Sequence, residues 1–256
     1  MKLVIFSGTT EGRELSKALA ELGAEVTVCV LTDYGSEAQG ELPGVTTHVG
    51  PLSAEEKLAL LEDAALCVDA THPYATHVSA SVRSACEAAG VPYLRLKRSE
   101  SETGDALAVS SAAAAAAYLK TREGNILLTT GAKELAAFAS LGPERLFPRV
   151  LPSRAGIEAC EALGVAHRNI IAMQGPFSRE MNTATIRQYD IRWLVTKDGG
   201  AAGGYPEKAA AAKETGAGLL VLRRPDEEGM DFETILNLCT TRLRAANTNN
   251  EQGETP

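Results

Sequence analysis

The chain has 256 residues, of which 45% are hydrophobic, enough for one large domain or two smaller ones with buried cores. Its formal net charge of −8 argues against a general nucleic-acid or membrane-surface binder, because both need a basic face. Five cysteines lie far apart, as is typical of buried thiols in a reducing compartment. The apolar N-terminus leads directly into a turn, so we expect a buried strand, no signal peptide or membrane span, and a cytoplasmic protein.

A short apolar run, a turn with Gly or Thr and a helical stretch recur along the chain, which predicts parallel sheets covered by helices. The strands predicted in the first half are LVIFS, EVTVCVL, TTHVG, ALCVDAT, PYLRLK and, after a break, ALAVS. The helices predicted between them are TTEGRELSKALAELG, SAEEKLALLEDA and PYATHVSASVRSACEAAG, and AAAAAAY predicts another after ALAVS.

The second half repeats this pattern, so we expect two α/β units in tandem. Its predicted strands are NILLTTG, RLFPRVLP, NIIAMQG, IRWLVTKDG and GLLVLRRP. Its predicted helices are KELAAFASLG, SRAGIEACEALG, SREMNTATIRQ, YPEKAAAAKETG and DFETILNLCTTRLRAA.

The polar stretch RSESETGD, residues 98–105, is the predicted domain boundary. We therefore predict a Rossmann-like nucleotide-binding domain over 1–100, an α/β domain over 101–245, and a disordered tail over 246–256, which has almost no apolar residues.

The segment FSGTTEGRELSKALAELG, residues 6–23, places a turn between the first strand and the first helix. Ligands of parallel α/β sheets bind at such carboxyl strand ends, and the N–H groups of the following helix suit a phosphate. The spacing departs from G-x-G-x-x-G, and no Lys-Ser/Thr pair follows, so a Walker-type loop is excluded. Two interpretations stay open: a nucleotide phosphate site, or a helix merely capped by Thr9 or Thr10 with Glu11 beside its dipole.

Two further turns carry polar side chains. In VDATHPYATHV, residues 68–78, His72 is a candidate hydrogen-bond donor or proton source; alternatively, Thr71 or His72 caps a helix whose first residue is Pro73. In WLVTKDGGAAGGYPEKAAAAK, residues 193–213, Lys197 and Asp198 precede a glycine-rich loop. That loop is expected close to a ligand, or is a flexible loop with a surface Lys–Asp pair.

Metal and hydrolase chemistries are not indicated. The histidines lack metal-ligand spacing, and the chain contains no H-E-x-x-H, C-x-x-C or G-x-S-x-G. We expect no metal centre.

Together with TTGAKELAAF (129–138), QGPFSREMN (174–182) and VLRRP (221–225), these turns make the chain resemble the precorrin-6A reductases of cobalamin biosynthesis. The motifs follow the family's order from about residue 3 to about residue 225. Two departures are Ser7 in place of a common Gly, and Gly199 in place of the Ser expected after Asp198. The second removes a hydroxyl.

The resemblance implies two Rossmann-like domains with parallel sheets and an interdomain cleft, in which NADPH or NADH reduces a macrocycle double bond of precorrin-6A or its cobalt form. Its implied cofactor-binding residues are Gly8, Thr9, Thr10, Glu11, Gly12, Arg13, Thr32, Asp33, Thr71, Pro73, Gly131 and Lys133. Its implied substrate-binding residues are Gln174, Gly175, Phe177, Ser178, Arg179, Gly203, Gly204, Tyr205 and Lys208. We expect His72 or the Lys197–Asp198 pair to polarise the substrate or relay a proton.

The implied substrate carries many carboxylates, so basic residues are expected at its site. Candidates follow the strands: Arg95, Lys97, Arg98, Arg145, Arg149, Arg154 and Arg179. Asp33 favours NADH and Arg13 favours NADPH, so the nucleotide stays open. The expected partner is a small polycarboxylate corrinoid precursor, with no nucleic acid or membrane, and the protein is expected as a monomer or small homo-oligomer.

Two other functions remain at this stage. One is a nicotinamide-dependent reductase of a small imine or aldehyde. The other is a nucleotide-sensing regulatory domain, which leaves the glycine-rich loop of the second half without a purpose.

Overall fold

The computed structural model describes residues 1–97, 106–200, 203–224 and 228–253, and over 246–253 it describes the backbone alone. The chain divides into two compact units. The first unit comprises Met1–Ser99 and Pro225–Pro256, and the second comprises Glu100–Arg224. The α/β fold with two parallel sheets is confirmed, and the predicted boundary segment 98–105 lies outside the described residues.

The first unit contains a parallel sheet in the order β3-β2-β1-β4-β5. From β1, the strands are added toward one edge of the sheet as β2 and β3, and then toward the other edge as β4 and β5. Its strands are β1 (Lys2–Phe6), β2 (Glu25–Val30), β3 (Val45–Val49), β4 (Leu66–Asp69) and β5 (Tyr93–Arg95). Its helices are α1 (Thr10–Glu21), α2 (Asp33–Gln39), α3 (Ala54–Leu61), α4 (Thr76–Ala89) and, from the end of the chain, α9 (Phe232–Gly253).

Alternate side chains of the first sheet bury against helices on its two faces. Leu3 and Ile5 of β1 pack in one core with residues of α1 and α9. Val4 and Phe6 pack in a second core with residues of α3 and α4. Because both faces are covered, the inner strands β1 and β4 are almost entirely buried, as expected for a parallel sheet.

The second unit contains a parallel sheet in the order β6-β11-β10-β7-β8-β9. Its strands are β6 (Leu107–Val109), β7 (Asn125–Thr129), β8 (Leu146–Val150), β9 (Ile171–Ala172), β10 (Ile191–Lys197) and β11 (Gly218–Leu222). Its α-helices are α5 (Ala112–Leu119), α6 (Arg154–Ala162), α7 (Arg179–Gln188) and α8 (Tyr205–Thr215). Short 3₁₀ segments lie at Ala132–Leu141, Pro143–Arg145 and His167–Asn169.

The predicted end of the second domain at residue 245 is wrong, because the second unit ends at Arg224. Ile235, Cys239 and Leu243 of α9 are buried in the core that also contains Leu3 and Ile5 of the first sheet. The last helix therefore completes the first unit. Its backbone stays helical over 246–253, where the sequence predicts disorder, and 254–256 lie outside the described residues.

Two local elements differ from the sequence-based expectation. Helix α2 was not predicted, because its seven residues are largely polar and include a glycine. The predicted helix KELAAFASLG is a 3₁₀ segment that begins after Gly131; its apolar side chains pack into the core while its backbone winds more tightly than an α-helix.

A helix long and apolar enough to cross a bilayer is absent from the described residues.

Replacing Ile235 with Ala tests the placement of α9. Ile235 is fully buried, so the variant is expected to lower the free energy of unfolding by about 2–5 kcal/mol. Amide hydrogen exchange is expected to speed up in Lys2–Phe6 before Asn125–Thr129. Thr241→Ala, on an exposed position of the same helix, is the control and is expected to change stability by less than about 0.5 kcal/mol. Faster exchange confined to Asn125–Thr129 would assign α9 to the other unit.

Candidate functional site

A cavity of about 420 Å³ opens at the carboxyl ends of strands β1 to β4 in the first unit. It lies at the position where α/β sheets bind ligands, next to β1, where the order of the strands reverses. Its walls are the turns that follow these strands, and its lining includes Ser7, Gly8, Leu31, Thr32, Tyr34, Gly35, Gly50, Pro51, Leu52, Lys57, Thr71, His72, His77, Val78 and Ser81. The cavity is thus lined both by predicted site residues and by residues that were not predicted.

Gly8 and Gly12 shape the turn after β1 for different reasons. Gly8 has φ +116°, a conformation that strains any residue with a side chain, and its α-carbon faces open space. A Cβ on Gly12 would collide with Oγ of Ser7 and lie 3.0 Å from Cβ of Ala70. Gly8 therefore keeps the backbone open to a ligand, whereas Gly12 lets helix α1 pack against the strand ends.

The capping interpretation is confirmed for Thr9. Its Oγ1 accepts a hydrogen bond from the N–H of Gly12 at 3.1 Å and donates one to the carbonyl of Ala70 at 2.8 Å. The hydroxyl therefore ties the β1 turn to the end of β4. Thr10 is exposed at the first position of α1, and Glu11 follows it in the first turn.

The same turn retains groups that suit an anion. The first N–H groups of a helix lack intrahelical acceptors and lie at the positive end of its dipole. Oγ of Ser7 is buried and has no hydrogen-bond partner among the described residues. Because a buried hydroxyl without a partner is costly, Ser7 and the start of α1 together fit a phosphate-bearing ligand in the adjacent cavity.

Asp33 and Arg13 lie at opposite ends of α2. Thr32 caps this helix by accepting from the N–H of Gly35 at 3.1 Å, and the exposed Asp33 is its first residue. Arg13 Nε donates to the carbonyl of Gln39, the last residue, at 2.9 Å. Seven residues of helix separate the two by about 9 Å along the axis. The acid is therefore the charged residue nearer to the cavity-lining Thr32.

A buried carboxylate that was not among the predicted site residues anchors the turn after β4. Asp69 is fully buried and pairs with Arg95 Nη1 at 2.8 Å. It also accepts from Tyr93 Oη at 2.8 Å, Thr71 Oγ1 at 2.7 Å and Thr71 N–H at 3.0 Å. Burial raises the pKa of Asp69, but the charge of Arg95 and hydrogen bonds from Ser79 and Thr71 outweigh it and hold the pKa below its usual value.

Helix α4 begins later than predicted. Its first residue is Thr76 and its N-cap is Ala75, so neither Thr71 nor His72 caps it and Pro73 is not its first residue. The Thr71 hydroxyl already donates to Asp69, so it serves the carboxylate network. The intervening residues form a loop closed by the N–H of Ala75 on the carbonyl of His72 at 2.7 Å.

This loop exposes His72 at the cavity wall. Its Nδ1 receives the N–H of Tyr74 at 3.4 Å, and the two rings lie 5.5 Å apart. His77, which was not a predicted site residue, also lines the cavity, from an exposed position on α4. Two imidazoles thus border the space above the sheet.

Several lining residues that were not predicted follow recognisable turn patterns in the sequence. Tyr34 follows the predicted strand-end pair Thr32–Asp33, and Gly50-Pro51-Leu52 follows β3. Gly50 has φ +113° and its α-carbon faces open space. A glycine-proline pair after a strand indicates a tight turn. Such a turn, close to a predicted nucleotide loop, is the sequence feature that indicates these residues as part of the site.

In the second unit, the carboxyl end of β10 carries two ion pairs. Lys197 Nζ lies 3.1 Å from Oε1 of Glu134, which follows β7. Asp198 is buried and paired with Arg224, whose Nε lies 3.0 Å from Oδ2. Asp198 Oδ1 also accepts from the N–H of Gly200 at 3.2 Å. The two candidate catalytic residues therefore have distinct surroundings: Lys197 is half-buried at the strand end, and Asp198 holds the start of the glycine-rich loop.

The glycines of this loop are required by close backbone approach. A Cβ on Gly203 would lie 2.7 Å from the carbonyl oxygen of Gly199, and one on Gly199 would lie 3.1 Å from Cα of Gly203. Gly204 adopts the left-handed conformation before α8. Tyr205 is only 2% exposed, and burial followed by the charge of Asp198 raises its pKa. Its side chain therefore packs inside the unit instead of facing solvent.

The segment QGPFS lies between β9 and α7, and Asn182 holds its end. Asn182 is fully buried, and its Nδ2 donates to the carbonyls of Phe177 at 3.2 Å and Ser178 at 2.9 Å. Ser178 caps α7 through the N–H of Met181 at 3.3 Å. A Cβ on Gly175 would lie 2.8 Å from the Phe177 ring, whereas Gln174 is exposed.

Most of the candidate basic residues have structural partners. Arg95 pairs with Asp69, as described, and Arg154 with Glu158 at 2.7 Å. Arg145 donates to the carbonyls of Arg122 and Gly124. Arg179 lies 3.6 Å from Glu214. Of the remaining candidates, Arg98 lies outside the described residues and Lys97 continues β5. Lys133, an implied cofactor-binding residue, is exposed. Arg149 differs from all of these: it is 6% exposed, and its side-chain hydrogen bond goes to a neutral amide.

Two of the five cysteines, Cys29 and Cys239, are poor candidates for nucleophilic chemistry. All five are buried and form no disulfide. Burial raises the pKa of Cys29 to about 12 and that of Cys239 to about 11, which keeps these thiols protonated and unreactive. No group of three or more His, Cys, Asp or Glu side chains suited to a metal ion occurs within the described ranges.

Comparison with known proteins finds a family match over almost the whole chain. The family model described as "Precorrin-6x reductase CbiJ/CobK" matches residues 2–240. A cobalt-precorrin-6A reductase of Priestia megaterium is 33% identical over 255 residues, covering 95% of this chain and 100% of the relative. One from Salmonella typhimurium is 34% identical over 230 residues, covering 87% of each.

A solved structure titled "CobK precorrin-6A reductase" superimposes with a TM-score of 0.74 at 26% identity, covering 93% of this chain and 96% of that one. The resemblance inferred from the ordered motifs is thereby confirmed, and this chain belongs to the precorrin-6x reductase family.

Proposed function

We propose that this protein is a precorrin-6A reductase, which transfers a hydride from a reduced nicotinamide dinucleotide to one carbon of a macrocycle double bond while a proton is added to its neighbour. The substrate is precorrin-6A or its cobalt form, and the product is the corresponding precorrin-6B. The carrying observation is the family match over residues 2–240, supported by relatives that bear this name.

The first-unit cavity fits the nucleotide. The start of α1, the open backbone at Gly8 and the unpartnered Oγ of Ser7 would hold its phosphates. Leu31, Thr32 and Gly50–Leu52 line the part of the cavity beside β2 and β3, where the adenosine half binds in Rossmann-like folds. The bound nucleotide supplies the hydride; the protein supplies orientation and electrostatics.

His72 is the residue we assign to the proton. It is exposed at the cavity wall on a loop that the buried Asp69 network holds in place. An imidazole at that position can donate a hydrogen bond or a proton near neutral pH. Asp198 is assigned a positioning role, since Arg224 and the N–H of Gly200 already occupy its carboxylate, and Lys197 would polarise the substrate.

The two other functions are less well supported. A reductase of small imines or aldehydes and a nucleotide-sensing domain both explain the first-unit cavity. Neither explains why the family match continues through the whole second unit.

The proposed activity is tested with metal-free and cobalt-bearing precorrin-6A, each with NADPH and with NADH. A change in the corrinoid absorption spectrum, with oxidation of one nicotinamide per macrocycle reduced, is expected for at least one combination. Turnover of small carbonyl compounds alone would favour the rival enzyme. Nucleotide binding without turnover of any substrate would favour the sensor.

Replacing Asp33 with Asn tests where the adenosine ribose lies. Removing this negative charge is expected to lower the KM for NADPH relative to that for NADH by about tenfold, because the 2′-phosphate no longer faces a carboxylate. Glu37→Gln, an equal charge change at an exposed position of α2, is the control. An identical NADPH-to-NADH ratio in both variants and the wild type would remove Asp33 from the ribose site.

His72→Ala tests the proton assignment in single-turnover reduction. The hydride-transfer rate is expected to fall by about 10²–10⁴-fold, the usual contribution of a positioned acid, at an unchanged Kd for the nucleotide. His77→Ala removes the second imidazole that lines the cavity and is expected to stay within about threefold of the wild type. A His72 variant with the wild-type rate contradicts the assignment.

A further inference from the structure

Arg149 and Lys208 both lie near the turn that contains Phe177, because the backbone just before α8 packs against that turn: a Cβ on Gly204 would lie 3.9 Å from the nitrogen of Phe177. Arg149, the fourth residue of β8, is 6% exposed. Its Nη1 donates to Oδ1 of Asn182 at 2.9 Å, and its guanidinium carbon lies 4.0 Å from the centroid of the Phe177 ring. Both neighbours are neutral. Lys208, in the first turn of α8, donates from Nζ to the carbonyl of Gly203 at 2.7 Å.

The surroundings disfavour both positive charges. Burial lowers the pKa of Arg149 to about 10. Burial, and next the charge of Arg149, lower the pKa of Lys208 to about 8, an effect that the neighbouring Glu207 only partly offsets. In the described part of the chain, no carboxylate lies within ion-pair distance of either cation. Each side chain is nevertheless mostly charged at pH 7.

Such a pair is unfavourable without an anion. Arg149 is buried and Lys208 is half-buried, and like charges that are partly removed from water raise the free energy of the folded state. Elsewhere in the same unit, Lys197, Arg179 and Arg224 each lie beside an acid. Arg149 instead contacts a neutral amide and a ring, and Lys208 has only the partial offset by Glu207. Perturbed groups of this kind concentrate at functional sites.

The Phe177 ring, together with exposed apolar side chains just after β8 and β9 and in the first turn of α7, suits a ligand that is anionic at one point and apolar elsewhere. The Phe177 ring covers one face of the guanidinium, which limits access of water and strengthens an ionic contact there. Leu151 and Met173 are exposed, although both are large and apolar, and the N–H of Met173 bonds to Val150 at the end of β8. Exposed Met181 directly precedes Asn182.

We propose that Arg149 and Lys208 together bind one peripheral carboxylate of the tetrapyrrole substrate, with the edge of its macrocycle against Leu151, Met173 and Met181. Arg149 offers a planar set of donors and Lys208 a point charge, so the carboxylate is held by two charge-assisted contacts. Asn182 acts as a positioning residue, because it fixes both the guanidinium and the Phe177 turn. This inference rests on the proposed function, which supplies a polycarboxylate substrate.

The kinetic test compares Lys208→Met with Lys213→Met, a change of equal charge at an exposed position of the same helix. Lys208→Met is expected to raise the KM for precorrin-6A by about ten- to a hundredfold, the usual cost of one charged hydrogen bond, at an unchanged Kd for NADPH. Lys208→Arg is expected to restore most of the affinity, and Lys213→Met to match the wild type. An unchanged KM in Lys208→Met overturns the proposal.

A second measurement does not depend on turnover. Unfolding of the second unit is followed by fluorescence of Trp193, the single tryptophan of the chain, in increasing citrate, a simple polycarboxylate, with matched ionic strength. Citrate is expected to raise the Tm of the wild type but not that of Lys208→Met. Without citrate, the variant is expected to melt higher than the wild type, because one of two like charges is gone. The anion site is contradicted if citrate changes the Tm of the wild type and of Lys208→Met equally and if the variant without citrate melts no higher than the wild type.

The two hypotheses fail in different ways. Wild-type protein that reduces no form of precorrin-6A contradicts the proposed function, whereas the citrate titration still decides whether the cation pair binds an anion. Wild-type turnover with normal kinetics in Lys208→Met contradicts the carboxylate site alone. If Lys208→Met does not fold, Lys208→Gln serves the same comparison.

Discussion

Each unit depends on a buried aspartate at the carboxyl end of a central strand, held by an arginine on, or just after, the neighbouring strand. Asp69 ends β4 and pairs with Arg95 of β5, while Asp198 follows β10 and pairs with Arg224 beyond β11. In both, the carboxylate also accepts the N–H two residues later, at 3.0 Å and 3.2 Å. This arrangement fixes the first residues of a turn that would otherwise be free to move.

These compensated charges contrast with the pair formed by Arg149 and Lys208. The charge of Arg95 and the hydrogen bonds to Asp69 hold the pKa of that carboxylate below its usual value despite complete burial, so the ionised form is favoured in the folded protein. Arg149 has a neutral amide and a ring instead, and its pKa falls. Burial alone thus does not identify a functional charge. The presence or absence of a counter-charge separates a residue that stabilises the fold from one that suits a charged ligand.

The sequence predicted the strands and the turns after them, because apolar runs and glycines are local features. It could not predict partners across the sheet. By sequence, Asp69 belongs to an apolar strand, and no neighbouring residue indicates its pairing with Arg95. Arg149 is one of several candidates for a substrate carboxylate in the sequence, and only the structure shows that Arg154 and Arg179 lie beside acids. Likewise, the apolar face of α9 fits either sheet by pattern, and only packing assigns it to the first.

At Gly199, the glycine-rich loop is held by backbone contacts instead of a side-chain hydroxyl. The resemblance predicts a serine there, and its loss removes a hydroxyl from the loop. In this chain a Cβ at position 199 would lie 3.1 Å from Cα of Gly203, tighter than ordinary packing. The loop instead closes through backbone contacts, with the N–H of Gly203 on Gly199 and that of Tyr205 on Gly200, both at 3.2 Å. Because Asp198 holds the start of the loop and buried Tyr205 holds its end, these contacts position the start of α8, and with it Lys208, without a side chain at 199.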